Sequence, residues 1–154
     1  MNDRDQQMMR QAFDVARGAT DHGNRPFGAL LVDADGNVLF SGENTVADGG
    51  DVTGHAETHV VRLATRALDP DTLASCTMYA STEPCPMCSA AIFMANIRRV
   101  VFGISAERLR AERGDPNAPS LRLSCAEVMA RASHPVEVIG PFLEEEALAV
   151  HRGE

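Results

Sequence analysis

Two short runs, His55-Ala56-Glu57 and Pro84-Cys85-Pro86-Met87-Cys88, place one imidazole, one carboxylate and two thiols where they can act together. A Cys-x-x-Cys at the start of a helix points both sulfurs the same way, and the positive end of the helix dipole favours their thiolates. Thiolates and neutral imidazole are zinc ligands. Three of them, His55, Cys85 and Cys88, leave the fourth tetrahedral position to water, as an open catalytic site requires. Zinc lowers the pKa of such a water toward ~7 and makes hydroxide available at neutral pH. Glu57, two residues past the histidine, can reach that water rather than the metal. It then acts as a proton shuttle that takes the water proton and delivers it to the group under attack.

Each run alone has a plainer meaning. A lone His and Glu on an exposed helix are usually solvated, and a lone Cys-x-x-Cys fits a redox pair or half of a structural zinc-binding module. A redox pair is expected after a thioredoxin-like first strand, whereas this one follows at least three strands and two helices. A structural site closes with four ligands and would recruit Cys76 or Cys125, which otherwise read as small buried hydrophobes. Both runs in this order, separated by a helix, a loop and a strand, favour the catalytic site.

The elements that must position these residues follow from periodicity. Apolar residues three or four apart predict a helix from about Arg4 to His22, and Gly28 to Val32, Asp33 to Asn37 and Val38 to Ser41 predict a hairpin. Gly42 to Gly54 reads as a loop, His55 to Leu68 as a helix stopped by Asp69-Pro70, and Cys76 to Ala80 as a strand. A helix from Pro84 to Ala95 and a strand from Arg99 to Ile104 complete a strand-helix-strand crossover, which implies a parallel pair and an α/β core. Beyond it, Ala106 to Arg113 and Cys125 to Ala132 read as helices, Val136 to Gly140 as a strand, and Leu143 to His151 as a short amphipathic helix. Glu144, Glu145, Glu146 and His151 are expected on its wet face.

The length of 154 residues suits one domain over 1–154, and 44% hydrophobic against 23% charged residues suits a packed core. Lys+Arg 14 against Asp+Glu 22 gives a net charge of −8, which repels phosphate polymers and anionic membranes unless a local basic patch intervenes. No apolar run approaches a membrane span and the start is no signal peptide, so a cytoplasmic protein without membrane or nucleic-acid partners is expected.

With these residues in view, the chain resembles the cytidine deaminase-like superfamily, in the branch of bacterial guanine deaminases, tRNA adenosine deaminases and fungal cytosine deaminase. The resemblance runs from the first helix to about Ile104. It includes Pro26-Phe27-Gly28-Ala29 and Gly42-Glu43-Asn44, with Asn44 eleven residues before His55. It implies a three-layer α/β/α fold on a mixed, roughly five-stranded sheet, a bound zinc, and a homodimer or larger assembly. It also implies that Asn44 hydrogen-bonds the base and that the Ala56 backbone amide contacts the ring. The reaction implied is hydrolytic deamination of a nucleobase or nucleoside.

For the substrate, Glu83-Pro-Cys-Pro-Met-Cys88 resembles guanine deaminases most, and these carry an acid near the position of Asp115, with Glu112 close by. A carboxylate there would accept from guanine N1-H and the 2-amino group; the other reading of Asp115 is a turn residue before Pro116. A wobble-adenosine tRNA deaminase needs positive charge around its pocket, and Arg108, Arg110 and Arg113 are interrupted by acids. Fungal cytosine deaminase has Gly between the His and Glu, where this chain has Ala56. Guanine is therefore expected first, with tRNA, cytosine or an amino-triazine such as ammeline behind it.

Overall fold

The computed structural model describes residues 1–154. Its five strands form one mixed sheet in the order β2-β1-β3-β4-β5. β1 (Gly28–Val32) lies between β2 (Val38–Glu43) and β3 (Thr77–Thr82), antiparallel to both, while β4 (Arg99–Ile104) runs parallel to β3 and to β5 (Glu137–Ile139). β1 is buried along its whole length, which explains its unbroken apolar run. The hairpin turn is closed by Asp33, whose Oδ1 accepts from the N–H groups of Asp35 (3.0 Å) and Asn37 (2.8 Å).

Helices cover both faces, so the architecture is the three-layer α/β/α arrangement expected. α1 (Asp3–Asp21) and α8 (Glu144–Arg152) cover one face, burying Met9, Phe13, Tyr79, Val101 and Leu148. α3 (Ala56–Ala67), α5 (Pro86–Met94) and α7 (Cys125–Met129) cover the other, burying Leu31, Val60, Met78, Ile92 and Val100. The remaining helices are α2 (Val46–Gly49), α4 (Pro70–Ala74) and α6 (Ala106–Arg113).

Two of these differ from the expectation: α2 lies inside the expected 42–54 loop, and α4 begins at Pro70, where Asp69-Pro70 is expected only as a stop. Asp69 accepts from the Thr72 N–H at 2.8 Å while Pro70 takes the first helical position, so the pair ends one helix and starts another. β3 extends two residues past Ala80, and the Cys-x-x-Cys helix starts at Pro86 with Cys85 as its N-cap.

Close packing of helices on the sheet depends on two glycines. A Cβ at Gly28 would stand 2.6 Å from Ala12 O and Ala16 N of α1, and one at Gly42 would stand 2.6 Å from Ala56 O at the start of α3. Gly42 thereby fixes how near the sheet α3 begins, and with it the position of His55 and Glu57.

One ion pair is buried in the α1 side. Asp5 accepts from Arg99 at 3.0 and 3.1 Å and from the Tyr79 hydroxyl at 2.6 Å. Burial raises the Asp5 pKa, but Arg99, Tyr79 and the Asn2 N–H outweigh it and hold the carboxyl below its usual range. Its contribution to stability is present above the ordinary carboxylate range and is lost as the pH falls through the depressed value. Asp5→Ala is expected to cost about 2–4 kcal/mol in urea unfolding. That is somewhat less than orphaning a fully buried charge, because Arg99 keeps some exposure and also meets Glu137. A change under about 0.5 kcal/mol would show that the pair holds nothing.

Candidate functional site

The carboxyl ends of the parallel strands β3 and β4 open onto a cleft of about 650 Å³, where ligand sites of open α/β sheets usually lie. Two helices start there. His55 is the N-cap of α3, and its N–H donates to the Thr58 hydroxyl at 3.1 Å. Cys85 is the N-cap of α5, with Cys88 in the first turn. Both N-termini face the same point.

The ligand atoms of His55, Cys85 and Cys88 lie within 4.8 Å of one another, with His55 Nδ1 at 3.6 Å from Cys85 Sγ and 3.4 Å from Cys88 Sγ. Zinc bonds of ~2.3 Å to sulfur and ~2.0 Å to nitrogen, at a tetrahedral angle, separate the two atoms by about 3.5 Å. The donor set and its spacing therefore fit zinc. Cys88 donates to Cys85, and this hydrogen bond, opposed by burial and helped by His55, pushes Cys85 down to about 4. Cys88, as donor, is pushed up. A divalent cation favours thiolate at both sulfurs, so the direction that bears on metal binding is that of Cys85.

Glu57 sits in the first turn of α3, lines the same cleft and is 6% exposed. Burial, aided by the Cys85 charge, raises its carboxyl above the usual range. A carboxyl so placed holds a proton more readily than an exposed one, as a proton shuttle must. The neighbouring Glu83 is not free in this sense. Its two oxygens accept from the Ala106 N–H (2.9 Å) and the Cys125 N–H (3.0 Å), the first residues of α6 and α7.

Asn44 also lines the cleft, at the end of β2. Its Oδ1 accepts from the Val46 N–H at 3.0 Å, which leaves its amino group free to donate. Thr45 beside it is tied to His59 Nε2 at 2.7 Å, holding this loop on α3. Ala56 is fully buried at the first position of α3, where a backbone N–H has no acceptor within the helix. Cys76 and Cys125 are buried away from the ligand set.

Asp115 and Glu112 are not brought to this cleft. Asp115 is exposed on a neighbouring groove and accepts from the Asn117 N–H at 2.9 Å, an Asx turn. Glu112 accepts from Arg108 (3.4 Å) and Arg152 (3.2 Å) on the far side of α6. The interruption of arginines by acids in the sequence is also undone in space. Ala106, Leu109, Arg110 and Arg113 share the face of α6 that lines the cleft, whereas Arg108 faces Glu112, Glu144 and Glu145. Arg25 lines the cleft from the other side, and Arg25 and Arg113 both lie over the Phe27 ring, at 5.6 and 5.5 Å.

Sequence reasoning missed Thr82, Glu83 and His151. His151, expected on the wet face of the last helix, instead turns inward to Thr82 at 3.0 Å. Its partner is 69 residues away, so no local pattern marks the contact. Glu83 precedes the Pro84-Cys85-Pro86-Met87-Cys88 run directly, but its bonds to two later helices are visible only in the fold.

Residues 2–104 match the family model described as the cytidine and deoxycytidylate deaminase zinc-binding region. The chain is 44% identical over 154 residues to a probable cytosine deaminase of Schizosaccharomyces pombe, covering 99% of this chain and 93% of that one. It is 34% identical over 149 residues to a tRNA-specific adenosine deaminase of Agrobacterium fabrum, covering 91% and 94%. Among solved structures, one from a study of tRNA A34 deaminases superposes with a TM-score of 0.74 at 32% identity, covering 94% of this chain and 99% of that one.

Proposed function

Because the chain belongs to the zinc-binding cytidine and deoxycytidylate deaminase family, we propose that it removes the exocyclic amino group of a free nucleobase, with cytosine ahead of guanine. When bound by His55, Cys85 and Cys88, zinc supplies a water acidic enough to act as hydroxide at neutral pH. Glu57 accepts the first water proton and returns it to the ring nitrogen beside the attacked carbon; it then takes the proton of the hydroxyl added to that carbon and passes it to the amino group, which leaves as ammonia while the carbonyl forms. The Ala56 N–H and the Asn44 amino group orient the ring.

The observation that carries the choice of ring is the polarity of the cleft. Asn44 and the arginines offer donors, Glu83 is engaged by backbone N–H groups, and Glu57 is left as the free carboxylate. Cytosine presents a carbonyl oxygen and an unprotonated N3, which are acceptors, and Glu57, once it holds the water proton, donates to N3. Guanine presents N1-H and an amino group, and the carboxylate expected to accept from them, Asp115, lies outside the cleft. The full-length similarity to a probable cytosine deaminase points the same way.

A second reading rests on Arg25, Arg110 and Arg113. None of the three has an acidic partner, and three such guanidinium groups at a cleft fit a substrate that carries phosphate, a nucleotide or an RNA loop. One experiment separates the readings: ammonia release from cytosine, cytidine, its 5′-monophosphate, guanine, adenine, ammeline and an anticodon stem-loop with wobble adenosine, at low and moderate salt. Cytosine is expected to lead, with little salt dependence. A phosphorylated substrate preferred by more than tenfold, with activity falling steeply as salt rises, would promote the second reading. Guanine as the best substrate would overturn the ranking of rings.

A further inference from the structure

Thr82 is the last residue of β3, is 5% exposed and lines the cleft. Its hydroxyl has one partner in the protein, His151 Nε2 at 3.0 Å, reached from the last turn of α8. The other ring nitrogen, His151 Nδ1, is buried with no partner. The imidazole packs edge-on against Phe27, centroids 5.3 Å apart.

Burial, and then the nearby Arg25 charge, push His151 down to about 4, so at neutral pH the ring carries a single N–H. Two tautomers follow. With the proton on Nδ1, a buried N–H has no acceptor, the costliest kind of unpaired group. With the proton on Nε2, only a lone pair is left unpaired, and Nε2–H donates to the Thr82 oxygen. The second arrangement is the favoured one, and it settles the threonine as well. A hydroxyl whose oxygen accepts from His151 still holds its own proton, no other protein acceptor takes it, and the side that stays open is the cleft.

We propose that Thr82 is a specificity-determining donor whose hydroxyl, oriented by His151, hydrogen-bonds an exocyclic carbonyl oxygen of the substrate ring. His151 is a positioning residue that acts through Thr82. The pair selects heterocycles bearing a carbonyl and rejects those lacking one, because a ring without that acceptor leaves the hydroxyl unpaired when water is expelled. The proposal rests on the deaminase reading.

The test uses the zinc-loaded full chain with two rings that differ only around the carbonyl: cytosine as substrate and 4-aminopyrimidine as competitive inhibitor. If the substrate panel selects a purine instead, the pair is guanine and 2-aminopurine. Thr82→Val, nearly isosteric and well suited to a strand, is expected to raise KM for the carbonyl-bearing ring by roughly five- to fiftyfold, while the inhibition constant of the other ring falls, since no hydroxyl is left unpaired beside it. Thr82→Ser should stay within about twofold of wild type. His151→Phe should raise KM by less than Thr82→Val, with zinc content unchanged, since the hydroxyl survives but is no longer oriented. An unchanged KM in Thr82→Val, or equal losses for both rings, overturns the proposal. The deaminase reading fails differently: wild type would then release ammonia from no ring of the panel.

Discussion

Glu57→Gln is expected to lower kcat by about 10²–10⁴ while zinc content and thermal unfolding stay close to wild type. The substitution keeps the shape and removes the ability to carry a proton. Glu57 is buried at the start of α3 and contributes no ligand to the cluster of His55, Cys85 and Cys88, so neither the fold nor the metal depends on its charge. Burial holds its carboxyl above the usual range, which suits a group that must be a base toward water and an acid toward the ring in one cycle. The expected signature is a fall in kcat with little change in KM, since an amide still fills the site. Ammonia release persisting within tenfold of wild type, with metal analysis unchanged, would take the proton-shuttle role from Glu57. It would also leave open the reading of the site as a structural zinc module.

Loss of the metal should be the larger structural effect. Cys88→Ser replaces a fully buried sulfur with a far weaker zinc ligand, and the purified variant is expected to hold well under the one zinc per chain of the wild type and to show no measurable deamination. Two helix N-termini that share a cation would then confront each other without it, so the unfolding midpoint should drop by several degrees and no longer respond to added zinc. Chelator-treated wild type should lose activity and regain it with zinc. Cys125→Ala provides the control. Its thiol, pushed up to about 11 by burial, stays protonated and lies outside the ligand cluster, so zinc should be retained. Zinc kept by Cys88→Ser but lost by Cys125→Ala would mean that the ligand set is wrong.

The parts of the molecule that could be read from the sequence are those whose meaning is local. The Cys-x-x-Cys and His-x-Glu runs carry their chemistry in their spacing, and the hairpin around Asp33 to Asn37 follows from periodicity and turn residues. What could not be read depends on which side an element turns. Arg108, Arg110 and Arg113 look equally neutralised by neighbouring acids along the chain. A helical turn sends Arg108 toward Glu112, Glu144 and Glu145 and leaves the other two on the cleft. For Asp115 the resemblance to guanine deaminases offers a substrate carboxylate and Pro116 beside it offers a turn residue; its bond to the Asn117 N–H is the ordinary work of an aspartate in a turn. His151 was invisible because half of its environment, Thr82 and Phe27, comes from the first part of the chain.

The face of α6 on the cleft has a consequence for how such an enzyme changes over time. The three zinc ligands and Glu57 all fall within residues 2–104, whereas Leu109, Arg110, Arg113, Pro119 and Ser120 of the outer wall come after them. The ring-facing floor of the cleft, with Asn44 and Thr82, thus shares the early stretch with the bond-breaking residues, while the outer wall is separate from both. A lineage could change what surrounds the ring by rewriting the wall after residue 104, with the floor and the bond-breaking machinery inherited intact. Selection on the parts of a substrate beyond its ring would then leave its mark late in the chain, and loss of turnover would leave its mark early.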